Sequence, residues 1–243
     1  MVREENYDVV IVGCGVGGLY TALNLPSEDR ILMICKEDIE SCDSMLAQGE
    51  VSACCGNETD YDSYFEDTMR AGHYENRKES VDIMIRSSRD VINNLLKLGV
   101  GFDKNPDGSL KYTKEGAHSQ PRICFHEDIT GKEITTTLQT RVKELPNVEI
   151  REYTVMTDIL VEKGICIGIL AKNADGDILK IHAKDTVLAT GGIGGLYKHS
   201  TNFPSLTGDG LDVAKNTACV WNISIMSRFI RPACTARSRD AAS

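Results

Sequence analysis

The chain has 243 residues, of which 41% are hydrophobic and 26% charged, and this composition is typical of a globular protein with one sizeable core or a core with part of a second domain. Its net charge of -9 argues against the basic surface that nucleic-acid binding needs, so we expect no nucleic-acid partner. The sequence begins without the features of a signal peptide and contains no run of about 20 apolar residues, which predicts a cytoplasmic protein without a membrane partner.

The first 35 residues carry the pattern of a β-α-β unit. Residues 7–12 (YDVVIV) are a mostly apolar, β-branched run, which predicts a parallel strand buried on both faces. A glycine-rich turn and a helix from Gly15 follow, and a second apolar run at 31–35 completes the unit.

The turn between the first strand and the helix reads Gly13-Cys-Gly15-Val-Gly-Gly18, a GxGxxG motif. Gly13 permits a tight turn, Gly15 lets a diphosphate approach the backbone, and Gly18 allows the helix to touch the strand. The start of the helix offers free N–H groups to an anion. In this position the motif predicts dinucleotide binding, and a purely structural glycine turn is the alternative.

A carboxylate usually ends the second strand of such a unit and binds the ribose hydroxyls. Here the strand ends Cys35-Lys36-Glu37, so Lys36 occupies the expected position and Glu37 could serve instead. Ribose recognition is left open between them.

The elements that follow alternate between helices and strands. Apolar residues at three- and four-residue intervals predict two amphipathic helices within 60–98, and 99–122 is expected to be a loop with a hairpin tip. A helix over 133–145 precedes strands at 156–162, 165–172 and 178–183, and a buried strand near 186–192 returns to the main sheet. We therefore predict an α/β, Rossmann-like domain with a parallel sheet and an inserted antiparallel β-meander.

The nine cysteines are an odd number without paired CxxC spacings, which favours reduced thiols and no metal site. Buried thiols are expected at the four cysteines in or beside apolar runs: Cys14, Cys35, Cys124 and Cys166.

Four segments carry a family resemblance: Ser44-Met-Leu-Ala-Gln-Gly49, Thr113-Lys-Glu-Gly-Ala-His-Ser-Gln-Pro-Arg122, Ala189-Thr-Gly-Gly-Ile-Gly-Gly-Leu-Tyr197 and Thr207-Gly-Asp-Gly210. Together they resemble the L-aspartate oxidase branch of the succinate dehydrogenase and fumarate reductase flavoprotein family, from Tyr7 to about Thr217. The segment from Asp62 to His73 supports the oxidase branch.

The resemblance implies FAD as cofactor and a set of residues that contact it. These are Gly13, Cys14, Gly15, Val16, Gly17, Gly18, Lys36, Ser44, Met45, Leu46, Ala47, Gln48, Gly49, Ala189, Thr190, Gly191 and Asp209. It also implies that Glu115 faces the substrate.

His118 and Arg122 are further candidates near Glu115. An imidazole titrates near neutral pH and a guanidinium binds carboxylates, so His118 could act as a base and Arg122 could bind a substrate carboxylate. A histidine that only orders the loop is an equal alternative.

The implied reaction is the oxidation of L-aspartate to iminoaspartate by hydride transfer to the flavin, with oxygen or fumarate as electron acceptor, at the start of NAD synthesis. A fumarate reductase or succinate dehydrogenase-like flavoprotein is a second interpretation, which a flavin-attaching histidine near Ser44 would favour, and none stands there. A non-catalytic nucleotide-binding fragment is a third.

After Val220 the sequence departs from the family's pattern. One allowed set of codons for Trp221 to Ser243, read from one nucleotide earlier, contains the His-Pro motif expected at the start of the family's substrate-capping domain. The same change of reading frame over 50–56 restores a double glycine after Gln48. We therefore expect an incomplete FAD-binding domain over 1–217, an aberrant tail over 218–243, a frameshift at both places, and a chain with little or no activity on its own.

Overall fold

The structure is a computed structural model that describes residues 1–48, 51–54 and 58–217. Its strands are β1 (Val2–Val12), β2 (Ile31–Ile34), β3 (Val51–Ser52), β4 (Ile123–Cys124), β5 (Val148–Arg151), β6 (Val155–Glu162), β7 (Ile165–Lys172) and β8 (Ile178–Leu188). Its helices are α1 (Val16–Leu23), α2 (Asp43–Leu46), α3 (Glu58–Ala71), α4 (Lys78–Leu98), α5 (Thr130–Lys143) and α6 (Asp209–Asn216).

Six strands form the main sheet in the order β5-β2-β1-β8-β7-β6, and β3 pairs with β4 separately. The β1 strand runs parallel to both of its neighbours, β2 and β8, and β2 runs parallel to β5. All four side chains of β2 are fully buried. Because both faces of this part of the sheet are covered, its strands have continuous apolar sequences rather than an alternating pattern.

Alternate residues of β1 contribute to two different cores. Val9 and Ile11 pack on the face covered by α1, α4 and α5, whereas Val10 and Val12 pack with residues of β6, β7 and α6 on the other face. The α1 helix buries Leu19 completely against the first face. The predicted α/β fold with a parallel sheet is confirmed.

The β6, β7 and β8 strands form the predicted antiparallel meander. The sequence predicts a break between strands at 178–183 and 186–192, but β8 is one strand from Ile178 to Leu188. The polar pair Lys184-Asp185 suggests that the strand ends there, but the strand continues through both residues. The side chain of Lys184 is exposed to solvent and forms an ion pair with Asp8 (2.6 Å). The meander is therefore continuous with the parallel sheet.

The α3 and α4 helices confirm the two amphipathic helices, and they pack through a cluster that includes Tyr64, Met69 and Ile85. The α4 helix ends at Gly99, whose φ of 106° is left-handed and suits glycine. The following loop has the predicted hairpin tip, closed by a bridge between Lys104 and Leu110.

Some predictions fall on residues without a described structure. Gly49, residues 50 and 55–56 of the first proposed frameshift, and the tail from 218 to 243 lie outside the described residues, so the domain division stays a prediction. Of the helices that the structure does describe, none combines the length and apolar character needed to cross a membrane.

The described cysteines are thiols rather than disulfides, and Cys14 and Cys124 are buried as expected. Cys35 is half-buried. The prediction for Cys166 is wrong, since this residue is exposed near the start of β7.

Candidate functional site

A cavity of about 370 Å³ lies at the carboxyl ends of β1, β2 and β8. The turn before α1 forms one wall, and residues 34–39, 41–44 and 154–156 form the next. Residues 189–191 and 205–209 close the far side. The strand order reverses at this point, because β2 and β5 lie on one side of β1 while the later strands β8, β7 and β6 lie on the other. The crevice outside such a reversal is where open α/β sheets bind ligands.

The glycine turn is closed by backbone contacts that exclude side chains. Gly13 has a φ of +115°, and a Cβ there would overlap the carbonyl oxygen of Ala189. A Cβ on Gly18 would overlap the Gly13 carbonyl and lie 3.2 Å from Cγ2 of Ile11. These glycines therefore let the turn, the helix and the end of β8 approach closely enough to leave backbone, not side chain, at the cavity wall.

The start of α1 faces the same cavity. The Val16 N–H donates to Oγ of Ser44 (3.1 Å), whereas the amides of Gly15 and Gly17 donate to no acceptor within the described ranges. Unpaired first-turn amides and the helix dipole together favour an anion. The cradle therefore fits the diphosphate of a dinucleotide, with the Ser44 hydroxyl beside it.

Lys36 connects two walls of the cavity. Its Nζ donates to Oδ2 of Asp209 (2.8 Å), to Oγ1 of Thr207 (2.7 Å) and to the Ser205 carbonyl (3.1 Å). Burial opposes ionisation of Asp209, but hydrogen bonds from Lys36 and Thr207 outweigh it and lower the pKa of this carboxyl group. The end of β2 is thereby tied to the start of α6.

The structure places both candidates for ribose recognition, Lys36 and Glu37, on the cavity wall. The ammonium group of Lys36 is committed to Asp209 and its neighbours. This leaves the Glu37 carboxylate as the residue at the end of β2 that could accept hydrogen bonds from hydroxyl groups.

Most residues predicted to contact the cofactor line this cavity: Gly13, Cys14, Gly15, Val16, Gly17, Lys36, Ser44, Ala189, Thr190, Gly191 and Asp209. Gly18 lies beneath it, at the contact between α1 and β1. Ala47 instead lines an adjoining apolar groove between α1, α4 and α5, and Met45, Leu46 and Gln48 line neither space. Contact of these residues with FAD stays a prediction.

Several residues of the cavity were not predicted from the sequence. Thr154 directly precedes β6, Val155 and Met156 begin this strand, and Ser205 and Leu206 come from the loop before α6. The loop stands directly before the Thr207-Gly-Asp-Gly segment, which could have drawn attention to it, whereas residues 154–156 carry no local signal.

Glu115 lies outside the cavity and is exposed at the tip of the loop between Thr113 and Arg122. The same loop contains Ala117 with a φ of 73°, in the left-handed region that costs a residue with a side chain about 1–2 kcal/mol. Neighbouring contacts must hold this conformation.

Arg122 holds that loop on α3 and is fully buried. Its Nη1 donates to Oδ2 of Asp67 (2.8 Å), its Nη2 donates to Oδ1 of Asp60 (2.9 Å), and the guanidinium stacks over the ring of Tyr64. Arg122 is thus committed to two carboxylates and does not face a substrate in this structure.

His118 lies between Ser52 and Arg122, with Nε2 3.2 Å from the Ser52 hydroxyl and Nδ1 3.3 Å from Arg122 Nη1. Burial and the charge of Arg122 lower the pKa of the imidazole. The contacts of His118 favour the loop-ordering alternative over the role of a base.

Comparison with known proteins agrees with the geometry of the cavity. The sequence model of the FAD binding domain matches residues 8–239. The L-aspartate oxidase of Clostridium perfringens is 48% identical over 207 residues, which are 85% of this chain and 46% of that protein. The L-aspartate oxidase of Clostridium acetobutylicum is 46% identical over 85% of this chain and 47% of that protein.

Among solved structures, Escherichia coli quinol fumarate reductase superposes with a TM-score of 0.84 at 27% identity, over 88% of this chain and 37% of that one. Sdh1 of Mycobacterium smegmatis superposes with a TM-score of 0.80 at 28% identity, over 88% of this chain and 39% of Sdh1. The chain spans about half the length of the curated relatives that it matches.

Proposed function

This chain belongs to the FAD binding domain family, and from that premise we propose that it is the flavin-binding part of an L-aspartate oxidase. The proposed reaction is the oxidation of L-aspartate to iminoaspartate, with oxygen or fumarate as the final electron acceptor, as the first step of NAD synthesis in the cytoplasm. When bound, FAD supplies the group that accepts a hydride.

The cavity beside the glycine turn is the observation that carries this proposal. It combines amides at the start of α1 that have no acceptor among the described residues with a wall of backbone, which a side chain at Gly13 would push apart. Two relatives named L-aspartate oxidase are 46% and 48% identical over the same part of the chain, which supports aspartate as the substrate.

The residues of the cavity have distinct proposed roles. The amides of Gly15 and Gly17 hold the diphosphate, and Ser44 donates its hydroxyl to the same group. The pair of Lys36 and Asp209 fixes the width of the cavity by joining its walls. Glu115 is proposed to face the substrate, and the loop from 113 to 122 holds Glu115 in place for this role.

A succinate dehydrogenase or fumarate reductase-like activity is the second candidate. The superposition on E. coli quinol fumarate reductase favours it, because nearly the whole described chain shares that backbone. The two candidates differ in the substrate that reduces the flavin, which is L-aspartate in one case and succinate in the other.

The test begins with FAD binding to the purified chain, followed through the flavin absorbance and fluorescence spectra. Gly13→Ala is expected to weaken binding strongly, and Gly192→Ala is the matched control, since a Cβ on Gly192 meets nothing within 4 Å. Equal binding by both variants would contradict the proposed cradle.

The bound flavin is then mixed anaerobically with L-aspartate or with succinate. Bleaching by L-aspartate alone supports the oxidase, and bleaching by succinate alone supports the second candidate. Bound flavin that neither compound reduces identifies the chain as a nucleotide-binding unit without catalysis of its own.

A further inference from the structure

Two cysteines pack next to each other at the wall of the cavity that is proposed to bind FAD. Cys14 belongs to the glycine turn and Cys35 directly follows β2, and both line the cavity. Val12 and Ile34 are register partners, and the Gly13 N–H donates to the Ile34 carbonyl (2.9 Å), so the two strand ends bring the cysteines side by side. We propose that Cys14 and Cys35 form an oxidant-sensitive dithiol whose disulfide form binds FAD more weakly than its reduced form.

The side chains share one environment as well as neighbouring strands. Cys14 belongs to the core cluster above β1 and β2, and Cys35 packs against that cluster. Interaction with the Cys14 thiol, followed by burial, raises the pKa of Cys35. Both cysteines are free thiols in this structure, so the pair is in its reduced form.

The oxidant in this proposal is a peroxide. Hydrogen peroxide transfers one oxygen to the sulfur of Cys35, the more exposed of the two, which forms a sulfenic acid and releases a first water molecule. The Cys14 sulfur then attacks the sulfenic sulfur, which forms the disulfide and releases the second water molecule. Two thiols lose two electrons in total, and one peroxide molecule gains them.

Closure of the disulfide changes the diphosphate cradle because the sulfur atoms must come to about 2.05 Å from each other. The turn that carries Cys14 has no room to slide, since the backbones of Gly13, Gly18 and Ala189 are already in close contact. Movement of Cys14 toward Cys35 is therefore transmitted to the adjacent Gly15 amide, which faces the diphosphate.

The coupling must act in both directions. If the disulfide weakens FAD binding by some factor, bound FAD disfavours disulfide formation by the same factor. Factors for such coupling between sites are roughly 5- to 150-fold. FAD would also cover the two thiols, because they lie on the wall against which it binds.

Peptide mapping of the full chain tests the disulfide without requiring the cofactor. The chain is treated with hydrogen peroxide, free thiols are blocked, and the product is digested with trypsin under non-reducing conditions. Cys14, Cys35 and Cys42 fall in separate peptides, residues 4–30, 31–36 and 37–70. We expect a linked pair of 4–30 with 31–36 that dithiothreitol separates and that added FAD suppresses.

A link between 31–36 and 37–70 in place of the expected one would overturn the proposal. So would the absence of a linked pair under conditions that oxidise the exposed Cys166.

FAD titration measures the second half of the proposal. The dissociation constant of the oxidised chain is expected to exceed that of the reduced chain by about tenfold, within the range given above. This ratio should fall to one in Cys35→Ser and persist in Cys166→Ser, the matched control.

A ratio of one in the unaltered chain, with the disulfide mapped, would overturn the proposed coupling between the disulfide and FAD binding. A reduced chain that does not bind FAD would contradict the proposed function, and the peptide map would still decide whether the dithiol closes.

Discussion

Asp67 anchors the loop that carries Glu115 to α3 by accepting three hydrogen bonds from it. Its Oδ2 accepts hydrogen bonds from the backbone N–H of Ser119 (2.6 Å), the Ser119 hydroxyl (2.7 Å) and Arg122 (2.8 Å), and its side chain is 4% exposed. Burial raises the pKa of Asp67, but these hydrogen bonds outweigh it, and the pKa falls to about 2. The charged form is therefore the stabilising one.

The lowered pKa of Asp67 gives the loss in the free energy of unfolding that is expected when its charge is removed. A pKa lowered from 3.8 to about 2 corresponds to about 2 kcal/mol at neutral pH, at 1.36 kcal/mol for each unit. Asp67→Asn keeps the shape of the side chain but removes its charge, so we expect the free energy of unfolding to fall by about 2 kcal/mol. Arg122 would keep Asp60 as a partner, which avoids a fully unpaired buried charge.

Urea unfolding followed by circular dichroism at pH 7 measures the loss. Arg70→Ala is the matched control, because it removes another partner of Asp67 (2.7 Å) whose own side chain is 58% exposed, and such surface pairs contribute about 0–1 kcal/mol. A loss for Asp67→Asn that is no larger than the loss for Arg70→Ala would refute the reasoning.

The sign of the pH dependence follows from the lowered pKa. The contribution of Asp67 is fully present above its unfolded-state value near 3.8 and is lost as the pH falls toward about 2. Over that interval the variant Asp67→Asn should lose less stability than the unaltered chain. The same urea titrations, repeated between pH 4 and pH 2, give this difference, and parallel curves would be the contrary result.

Three further predictions concern backbone conformation and the cavity. Gly13→Ala places a Cβ at a φ of +115° and against Ala189, so unfolding free energy should fall by about 2 kcal/mol or more, and an unchanged thermal midpoint would contradict this. Ala117→Gly relieves a φ of 73° and should stabilise the chain by about 1 kcal/mol in urea unfolding, whereas destabilisation would show that the loop is not strained. Lys36→Met removes the contact with Asp209, so FAD binding should weaken by roughly tenfold in a fluorescence titration, and cleavage of residues 198–209 by a protease should become faster. Tight binding with unchanged cleavage would show that Lys36 does not join the walls.

The parts of the fold that could be predicted from the sequence are those with a local pattern. The β1-α1-β2 unit is recognisable because apolar strands flank a glycine motif, and α3 and α4 are recognisable from helical periodicity. The β5 strand escapes prediction, since Val148-Glu-Ile-Arg151 is short and two of its four residues are charged. The β5 strand forms because its backbone pairs with the edge of β2, and this edge is present only in the folded sheet.

In the candidate site, too, the residues that could be predicted are those that belong to a local sequence pattern. Residues in the glycine turn reach the cavity because the turn itself builds the wall. The role of Arg122 was open from the sequence, because its two partners, Asp60 and Asp67, stand 62 and 55 residues away on a helix with no visible link to the loop. Pairing over such distances has no signature in a local pattern.

The pairing of β1 with β8 sets a condition on the order of folding. Val2 pairs with Ile178 and Val12 pairs with Leu188, so β1 is central in the sheet but gains this neighbour only after the long intervening segment has been synthesised. At roughly 5–20 residues per second, synthesis would leave one edge of β1 open for on the order of 10–40 s. Unpaired apolar edges of this kind promote association between chains, so we expect the nascent protein to depend on chaperones during that interval.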